Sequence, residues 1–225
     1  MNTNKNKGKW ILLMAAVLLS SCGEFFEFDP GDAVPAAEMT LARHEVSIMQ
    51  GDRYAIPAIF EPDTLSNNAV YWESEDTEIA AFVNDTLEAR EVGTTIVRAI
   101  SVSSQIEDSC VVNVIPRWQG VDRSSYPYDM IIYADVTVHG QKPDSTMTFS
   151  AFCNREVRGM GEFRKHEGIS YMVFRIWSPF EYGDQIRIGC YHQGQALIEY
   201  FPEVFTFDGE AHGTLSDLYP LEIED

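Results

Sequence analysis

The residues with the most specific chemistry lie near the start of the chain, at Leu19-Ser20-Ser21-Cys22. A cysteine that follows small residues at the end of a short apolar run marks a signal-peptide cleavage site at which the new N-terminal cysteine is acylated. The other parts of such a signal precede it, because an apolar run from Trp10 to Leu19 follows a stretch of lysines. We therefore expect residues 1–21 to be a lipoprotein signal peptide and Cys22 to be the lipidation site.

The same apolar run is too short to be a membrane-spanning helix. Crossing a bilayer takes about 20 apolar residues, whereas the run from Trp10 to Leu19 holds ten. The sequence therefore predicts that the mature chain is attached to a membrane by lipid without crossing it. Residues 22–36 combine acidic residues with glycine and proline, which is typical of a short tether.

Four histidines in the second half of the chain lie among many carboxylates, a composition that acid–base catalysis would use. They are His139, His166, His192 and His212. All four fall in predicted turns or at strand ends, where we expect solvated side chains. The sequence has no G-x-S-x-G, HExxH or CxxC motif and no glycine-rich phosphate loop, so we predict no enzyme activity, no catalytic residue, no metal site and no cofactor.

Aromatic residues in predicted loops and at the predicted domain junction are candidates for a binding surface. An exposed ring can stack on a sugar or pack on a partner protein. The candidate rings are Trp118, Trp177 and Tyr182. The alternative for these rings is packing between domains, which the sequence favours because a short linker with a tryptophan needs such packing.

The charge of the chain excludes one class of partner. The chain carries 16 basic and 35 acidic residues, a net charge of −19. Removal of residues 1–21 takes away three lysines and no acidic residue, which leaves the mature chain at −22. A field of this sign repels phosphate backbones, so we expect no nucleic-acid partner.

Three cysteines remain after lipidation of Cys22. They are Cys110, Cys153 and Cys190. An odd number allows at most one disulfide, and the apolar surroundings of Cys153 and Cys190 suit either a disulfide between them or two buried thiols. Cys110 alternates with valines in a predicted strand, so we expect its thiol to be part of a core and unreactive.

Residues 37–116 have the pattern of short strands, because apolar and polar residues alternate in runs that turn formers interrupt. Val46 and Ile48 are typical, and a turn at residues 50–52 follows them. Short antiparallel strands at this spacing predict a β-sandwich. Trp72 is expected to fill the core between its sheets.

Several motifs of this segment occur in a known order. They are Val46-Ser47-Ile48 with Gly51-Asp52, then Tyr71 to Ala80, Gly93-Thr94-Thr95-Ile96-Val97, and Cys110-Val111-Val112-Asn113-Val114. Together they resemble the group 2 bacterial Ig-like domain, a module of surface adhesins and lipoproteins. The resemblance implies an Ig-like β-sandwich over residues 37–116.

Residues 117–225 repeat the strand pattern, beginning with a long alternating run from Met130 to Val138. The stretch after Pro116 is polar and contains glycine and proline, so we place the domain junction there. The segment from Ala151 to Gly159 resembles part of an unnamed β-sandwich module of secreted bacterial proteins. The predicted fold class is therefore all-β, with two consecutive antiparallel β-sandwich domains, the first Ig-like.

These features predict a non-enzymatic lipoprotein of the bacterial outer membrane, exposed on the cell surface. We expect the Ig-like domain to be a spacer that presents the C-terminal β-sandwich for adhesion or for binding an extracellular protein. The alternative is a glycan-binding accessory lipoprotein of a polysaccharide-uptake system, in which the aromatic rings contact sugar. The expected partners are thus a membrane, through the lipid, and an extracellular protein or glycan.

Overall fold

The computed structural model describes residues 38–61 and 68–224. All described residues belong to one compact unit of the chain. The predicted signal peptide, the tether and Cys22 lie outside the described residues and stay predictions. In the described ranges, no helix has the length and apolar character needed to span a membrane.

The first sandwich consists of short strands in which buried and exposed residues alternate, as a period of two predicts. Its strands are β1 (Glu38–Leu41), β2 (Glu45–Met49), β3 (Arg53–Tyr54), β4 (Ala58–Glu61), β5 (Val70–Ser74), β6 (Ala80–Val83), β7 (Thr86–Ala89), β8 (Gly93–Ser101) and β9 (Glu107–Ile115). One layer has the order β2-β9-β8-β5, and the other contains β1-β4 and β3-β7-β6.

The pairing of these strands follows the immunoglobulin arrangement. In one layer β8 pairs antiparallel with β5 and with β9, and β2 runs parallel to β9. In the other layer β7 pairs with β3 and β6, and β4 pairs with β1. Two layers of this kind correspond to the ABED and CFG sheets of an immunoglobulin domain. The prediction of an Ig-like β-sandwich is confirmed.

One predicted strand of the first sandwich is broken in the structure. The sequence predicts a single strand from Tyr54 to Phe60, whereas the structure has β3 and β4 with a gap at residues 55–57. Pro57 lies in this gap, and a proline has no N–H to donate to a neighbouring strand. Ile56 nevertheless points into the core, where it is buried.

Cys110 lies in the core of the first sandwich, and Trp72, which was expected to fill that core, packs against it. Trp72 is half-buried against that core, and its ring stacks on Phe82 with the centroids 4.4 Å apart. Cys110 is buried among the apolar residues of β8 and β9. Burial raises the pKa of the Cys110 thiol to about 11.

The second sandwich follows a connection that contains a 3-10 turn at Arg123–Ser125. Its strands are β10 (Tyr128–Val138), β11 (Met147–Cys153), β12 (Glu156–His166), β13 (Ile169–Ser178), β14 (Gln185–His192), β15 (Leu197–Thr206), β16 (Ala211–His212) and β17 (Tyr219–Ile223). They pair in the order β15-β14-β11-β12-β13-β10, and both β16 and β17 lie beside β10. A second 3-10 turn, Gln193–Gln195, joins β14 to β15.

Two details of this sandwich differ from the sequence-based expectation. The alternation of apolar residues predicts separate strands at residues 196–201 and 204–207, but these residues fall mostly within the single strand β15, whose pairing with β14 shifts near Gly189. The parallel pairing of β16 and β17 with β10 was not predicted. Parallel neighbours are distant in sequence, so no local turn signal marks them.

β12 joins the two layers of the second sandwich because it changes partner along its length. Its first part pairs with β11, up to Met160, and its second part pairs with β13, from Gly161 onward. The core between the layers is apolar and includes Ile132, Phe174 and Ile188, all fully buried. The all-β fold class is confirmed by these pairings.

Candidate functional site

Trp118 lies where the two sandwiches meet. Its side chain is half-buried, and its ring contacts Phe152 and Tyr191 edge-on, at centroid distances of 5.0 and 6.1 Å. Both neighbours belong to the second sandwich, whereas Trp118 follows directly on the end of the first. The structure thus places Trp118 in packing between domains, the alternative that the sequence favours.

Tyr191 provides the polar part of the same contact. Its hydroxyl accepts a hydrogen bond from the Met49 N–H at 3.2 Å and donates one to the Asp52 carboxylate at 3.1 Å. Arg117 also forms an ion pair with Asp52. Burial is the main cause that raises the pKa of Tyr191 to about 12. Asp52 is a buried acid, and burial of a carboxylate costs free energy. The Tyr191 hydroxyl and the Arg117 guanidinium offset this cost.

A backbone contact lies close to Tyr191. The Ser47 N–H donates to the Ala196 carbonyl at 2.7 Å, and the Ala196 methyl group packs in the core of the first sandwich. Arg43 donates to the side chain of Gln195 at 3.3 Å. Residues 191–196, which we call the junction segment, thus hold the second sandwich against the first.

Trp177 is covered by arginine side chains. The guanidinium carbons of Arg123 and Arg175 lie 5.2 and 4.8 Å from the centroid of its ring. Arg175 is fixed in this position by an ion pair with Asp129 at 2.7 Å. Cations over an aromatic face are stabilised by the ring quadrupole. A sugar that stacked on this ring would therefore compete with arginine side chains.

Tyr182 belongs to an exposed loop between β13 and β14. Its side chain is 70% exposed, and nearby Phe180 is 61% exposed. The base of the loop is fixed, because Ser178 Oγ donates to Asp184 at 2.8 Å and accepts the Phe180 N–H at 3.0 Å. Of the three predicted ligand-facing rings, Tyr182 is the one that the structure leaves open to solvent.

A cleft that the sequence analysis did not predict lies in the second sandwich, at the point where β11 and β12 separate. The two strands pair between Ser150 and Cys153 on β11 and between Glu156 and Met160 on β12. Gly161 allows the separation, because a Cβ atom there would lie 2.7 Å from side-chain atoms of both Phe149 and Phe174. Beyond this glycine β12 follows β13, and a space opens between it and β11.

The cleft has a volume of about 530 Å³, within the range of small-ligand and side-chain pockets. Met147, Phe149 and Met172 give it an apolar lining, and residues 143–145 form one rim. Phe163 stands at its edge and is 60% exposed. Beyond Phe163 lies a smaller hollow of about 210 Å³. The cleft is thus suited to apolar side chains of a binding partner.

A signal for this cleft was present in the sequence. Gly159-Met160-Gly161 places two glycines inside a strand pattern, and glycines in a strand mark a bend or a close backbone approach. The apolar alternation predicts a strand only from Glu156 to Met160, so Phe163 is not predicted to belong to β12. The partner change of β12 follows from contacts distant in sequence, which strand periodicity does not encode.

A cluster of ionisable side chains lies at the ends of β10, β14 and β15. His139 Nε2 is 3.1 Å from both oxygens of Glu199, and His192 Nε2 is 3.0 Å from Glu199 Oε2. Cys190 Sγ lies 3.4 Å from the same nitrogen of His192. The sequence predicts a solvated His192, and this prediction is wrong: only 5% of its side chain is exposed. Glu199 on β15 and His139 next to the end of β10 lie against it.

This cluster is poorly suited to nucleophilic catalysis. A base between a nucleophile and an orienting carboxylate uses both of its ring nitrogens, whereas Cys190 and Glu199 approach the same nitrogen of His192. Burial raises the pKa of the Cys190 thiol to about 12, so the thiolate is scarce at neutral pH. Within residues 38–61 and 68–224, no group of three or more His, Cys, Asp or Glu residues is arranged to hold a metal ion.

Cys153 and Cys190 are both free thiols in the structure, which decides between the two alternatives left open by the sequence. They lie on the paired strands β11 and β14, but Cys190 is opposite Phe149 and Cys153 is opposite Ile186. An offset of four residues along a strand is about 13 Å. A disulfide needs Cα atoms within about 7 Å of each other.

Comparison with known proteins yields one relative in sequence and several likenesses in structure. No family model matches the chain. An uncharacterised protein of Clostridium acetobutylicum is 36% identical over 109 residues, which are 47% of this chain and 11% of that protein. The chain therefore spans about a tenth of the length of this relative.

Among solved structures, a structure of domains 4–9 of the surface layer protein SbsC is similar over 80% of this chain and 31% of the SbsC chain, with 13% identity and a TM-score of 0.32. Cadherin domains 1–4 of protocadherin gamma B7 match 76% and 49%, with 10% identity and a TM-score of 0.25. Both TM-scores are below 0.5, so the Ig-like assignment stands on the strand pairing described above.

Proposed function

We propose that this chain is a non-enzymatic lipoprotein of the bacterial cell surface, anchored in the outer membrane by lipid on Cys22. A group 2 Ig-like domain is its spacer, and the C-terminal sandwich binds an extended segment of a partner protein. The observation that carries the binding role is the apolar cleft at the separation of β11 and β12.

The backbone at this cleft supports an extended partner. On the β11 side, residues 147–149 pair with β14 but, within the described residues, not with β12. On the β12 side, residues 161–166 pair with β13 and with no other strand in the described part of the chain. Each strand therefore has an edge with backbone donors and acceptors facing the cleft. A peptide in β conformation can hydrogen-bond to such an edge and place alternate side chains in the pocket beside it.

The lining of the cleft supports apolar side chains in the partner. Met147 and Met172 are flexible thioethers, which adapt to side chains of different shape. Phe163 adds an exposed aromatic ring at the edge, and an aromatic side chain contributes a large apolar area when a partner buries it. Asp144 stands at the rim, where hydrogen bonds from Thr146 lower the pKa of its carboxyl. The preferred segment thus alternates apolar residues and carries no acidic residue near Asp144.

The glycan alternative is supported by Phe180 and Tyr182, which are exposed on the β13–β14 loop. The rings of Trp118 and Trp177 give it less support, because packing and arginines cover them. The two functions thus use different parts of the second sandwich. Variants at each part distinguish them.

The test is selection of linear phage-displayed peptides on the purified protein, followed by affinity measurements with the selected peptides. Phe163→Ser is expected to weaken their binding at least about tenfold, since it removes the aromatic ring at the edge of the cleft that a bound peptide would bury. Phe180→Ser is the matched control, because Phe180 is 61% exposed and Phe163 is 60% exposed. It is expected to leave the affinity unchanged.

Two results would overturn this proposal. One is a set of selected peptides that bind Phe163→Ser as tightly as the unmodified protein. The other is a glycan array on which the protein binds sugars, with binding lost in Phe180→Ser and retained in Phe163→Ser. The second result would favour the glycan function.

A further inference from the structure

His192 lies within the junction segment, between the residues that contact the first sandwich. Tyr191 on one side bonds to Met49 and Asp52, and Ala196 on the other accepts the Ser47 N–H. The imidazole itself is buried in the second sandwich. Any change in its charge therefore acts on the segment that joins the two sandwiches.

Charged and titratable groups face His192 from several elements. They are Cys190 on its own strand β14, Glu199 on β15, His139 at the end of β10, Asp144 between β10 and β11, and Arg43 between β1 and β2 of the first sandwich. The rings of His139 and His192 are 6.4 Å apart, and Glu199 is within 3.1 Å of both. The single carboxylate of Glu199 can neutralise only one imidazolium. Once one of the two histidines is protonated, its charge opposes protonation of the other.

We propose that the contact between the two sandwiches is acid-sensitive: protonation of His192 opens the junction segment and frees the second sandwich to move relative to the first. At neutral pH His192 is uncharged and the segment stays closed. In acid the imidazolium is disfavoured in its buried site and lies close to Arg43 of the first sandwich. Opening the junction exposes the ring to water and separates it from Arg43.

The direction follows from proton linkage. Burial lowers the pKa of His192 below its usual 6.5, and His139 and Arg43 lower it further, against the opposite effect of Glu199 and Asp144. The closed junction therefore holds its full stability above pH 6.5. It loses stability as the pH falls from 6.5 toward the lowered pKa, since the open form then binds a proton that the closed form does not. One proton changes the opening equilibrium by up to about tenfold per pH unit in this window.

The test is hydrogen exchange at single amides of the complete protein, expressed as protection factors that correct for the intrinsic effect of pH. The Ser47 N–H reports opening, because its acceptor is Ala196 of the junction segment. Its protection is expected to fall about threefold to fivefold between pH 6.5 and 5.5, because the open form is already half protonated at pH 6.5. The Gln50 N–H, which donates to Ile115 within the first sandwich, is the internal control and is expected to keep its protection.

His192→Gln keeps a polar side chain without the titration, so it is expected to abolish the acid-dependent loss at Ser47. His166→Gln is the matched control, because that histidine is exposed on the β12–β13 hairpin, and it is expected to retain the loss. Ser47 protection that is equal at both pH values, or an acid loss that persists in His192→Gln, would overturn the proposal.

A second variant keeps the test valid if His192→Gln folds poorly. Arg43 is half-exposed on the first sandwich and disfavours the imidazolium of His192. Arg43→Gln is therefore expected to reduce the acid-dependent loss of Ser47 protection without abolishing it. An unchanged loss in this variant would contradict the role of charge across the junction.

Discussion

At the scale of the residue, burial decides the chemistry of the thiols in this chain. Cys110, Cys153 and Cys190 are all buried in strands and free. Desolvation is the main cause that raises the pKa of each thiol, to about 11 for Cys110 and about 12 for Cys190. Since the thiolate is the reactive form, these cysteines act as small apolar residues of the cores.

Alkylation tests this conclusion. The test uses a chain that starts at residue 23 and therefore has three thiols. Iodoacetamide at pH 8 is expected to modify these thiols at least about 100-fold more slowly in the folded state than in urea, because modification needs both exposure and a thiolate. Mass spectrometry gives the number of alkyl groups. Three groups per chain in urea without reductant are expected, and only one group would show a disulfide that the structure lacks.

His192 and Trp118 show how far single residues could be predicted from the sequence. The sequence favours packing for Trp118 because the residue follows a strand at a domain junction. It predicts a solvated His192 because a strand end next to Gln193-Gly194 resembles an exposed turn. The groups that bury His192 come from β10 and β15. These groups reach His192 because of the order of the strands in the sheet. The alternation of apolar and polar residues within one strand does not specify that order.

At the scale of the element, β12 determines the shape of the second sandwich. Gly159 and Gly161 let the strand leave one layer and join the other, because a Cβ atom at Gly159 would lie 2.3 Å from the Arg175 carbonyl oxygen and one at Gly161 would meet two phenylalanines. The cleft exists because the strand changes partner between Met160 and Gly161. The candidate site thus depends on glycine at these two positions, because a larger residue at either one would prevent the strand from changing partner.

Gly161→Ala is expected to lower the free energy of unfolding by about 1–3 kcal/mol, since the added methyl group overlaps Phe149 and Phe174. Urea denaturation measures the change. Gly120→Ala is the control, because a Cβ atom there meets nothing within 4 Å, and it is expected to leave stability unchanged or slightly raised. Equal effects of the two substitutions would contradict the close approach at β12.

The period of two predicts most strands of both sandwiches, since apolar residues alternate where one face is buried. β2, β9 and β10 were predicted from this pattern alone. The partners of β12 and the parallel strands β16 and β17 were not, because pairing between distant segments is decided by the packed core. The candidate cleft lies at such a pairing change, and for this reason the sequence revealed its glycines but not its shape.

At the scale of the whole molecule, the two sandwiches have separate cores with a shared contact. Ala196, from the second sandwich, is fully buried in the core of the first. Tyr191 and Asp52 add buried hydrogen bonds to this contact. We expect the two sandwiches to unfold together, because opening either one exposes part of the other.

Ala196 belongs to the second sandwich, so Ala196→Asp places a charge in the core of the first sandwich without changing a residue of that sandwich. The substitution is expected to make the two sandwiches unfold separately. Differential scanning calorimetry is expected to show one transition for the unmodified protein and two for the variant. Gln193→Asp is the control, because that side chain is exposed in the same turn, and its single transition is expected to remain. Two transitions in the unmodified protein would show that the contact does not couple the sandwiches.

The parallel pairing of β2 with β9 has a consequence for mechanical force. β2 lies near the N-terminal side of the first sandwich, and β9 leads at Ile115 to the second. Tension between the start of the chain and the second sandwich therefore pulls these two strands in opposite directions along their axes. All hydrogen bonds from Glu45 to Met49 are then sheared at the same time, instead of opening one after another. The first sandwich is thus arranged to resist extension when the chain is pulled by its two ends.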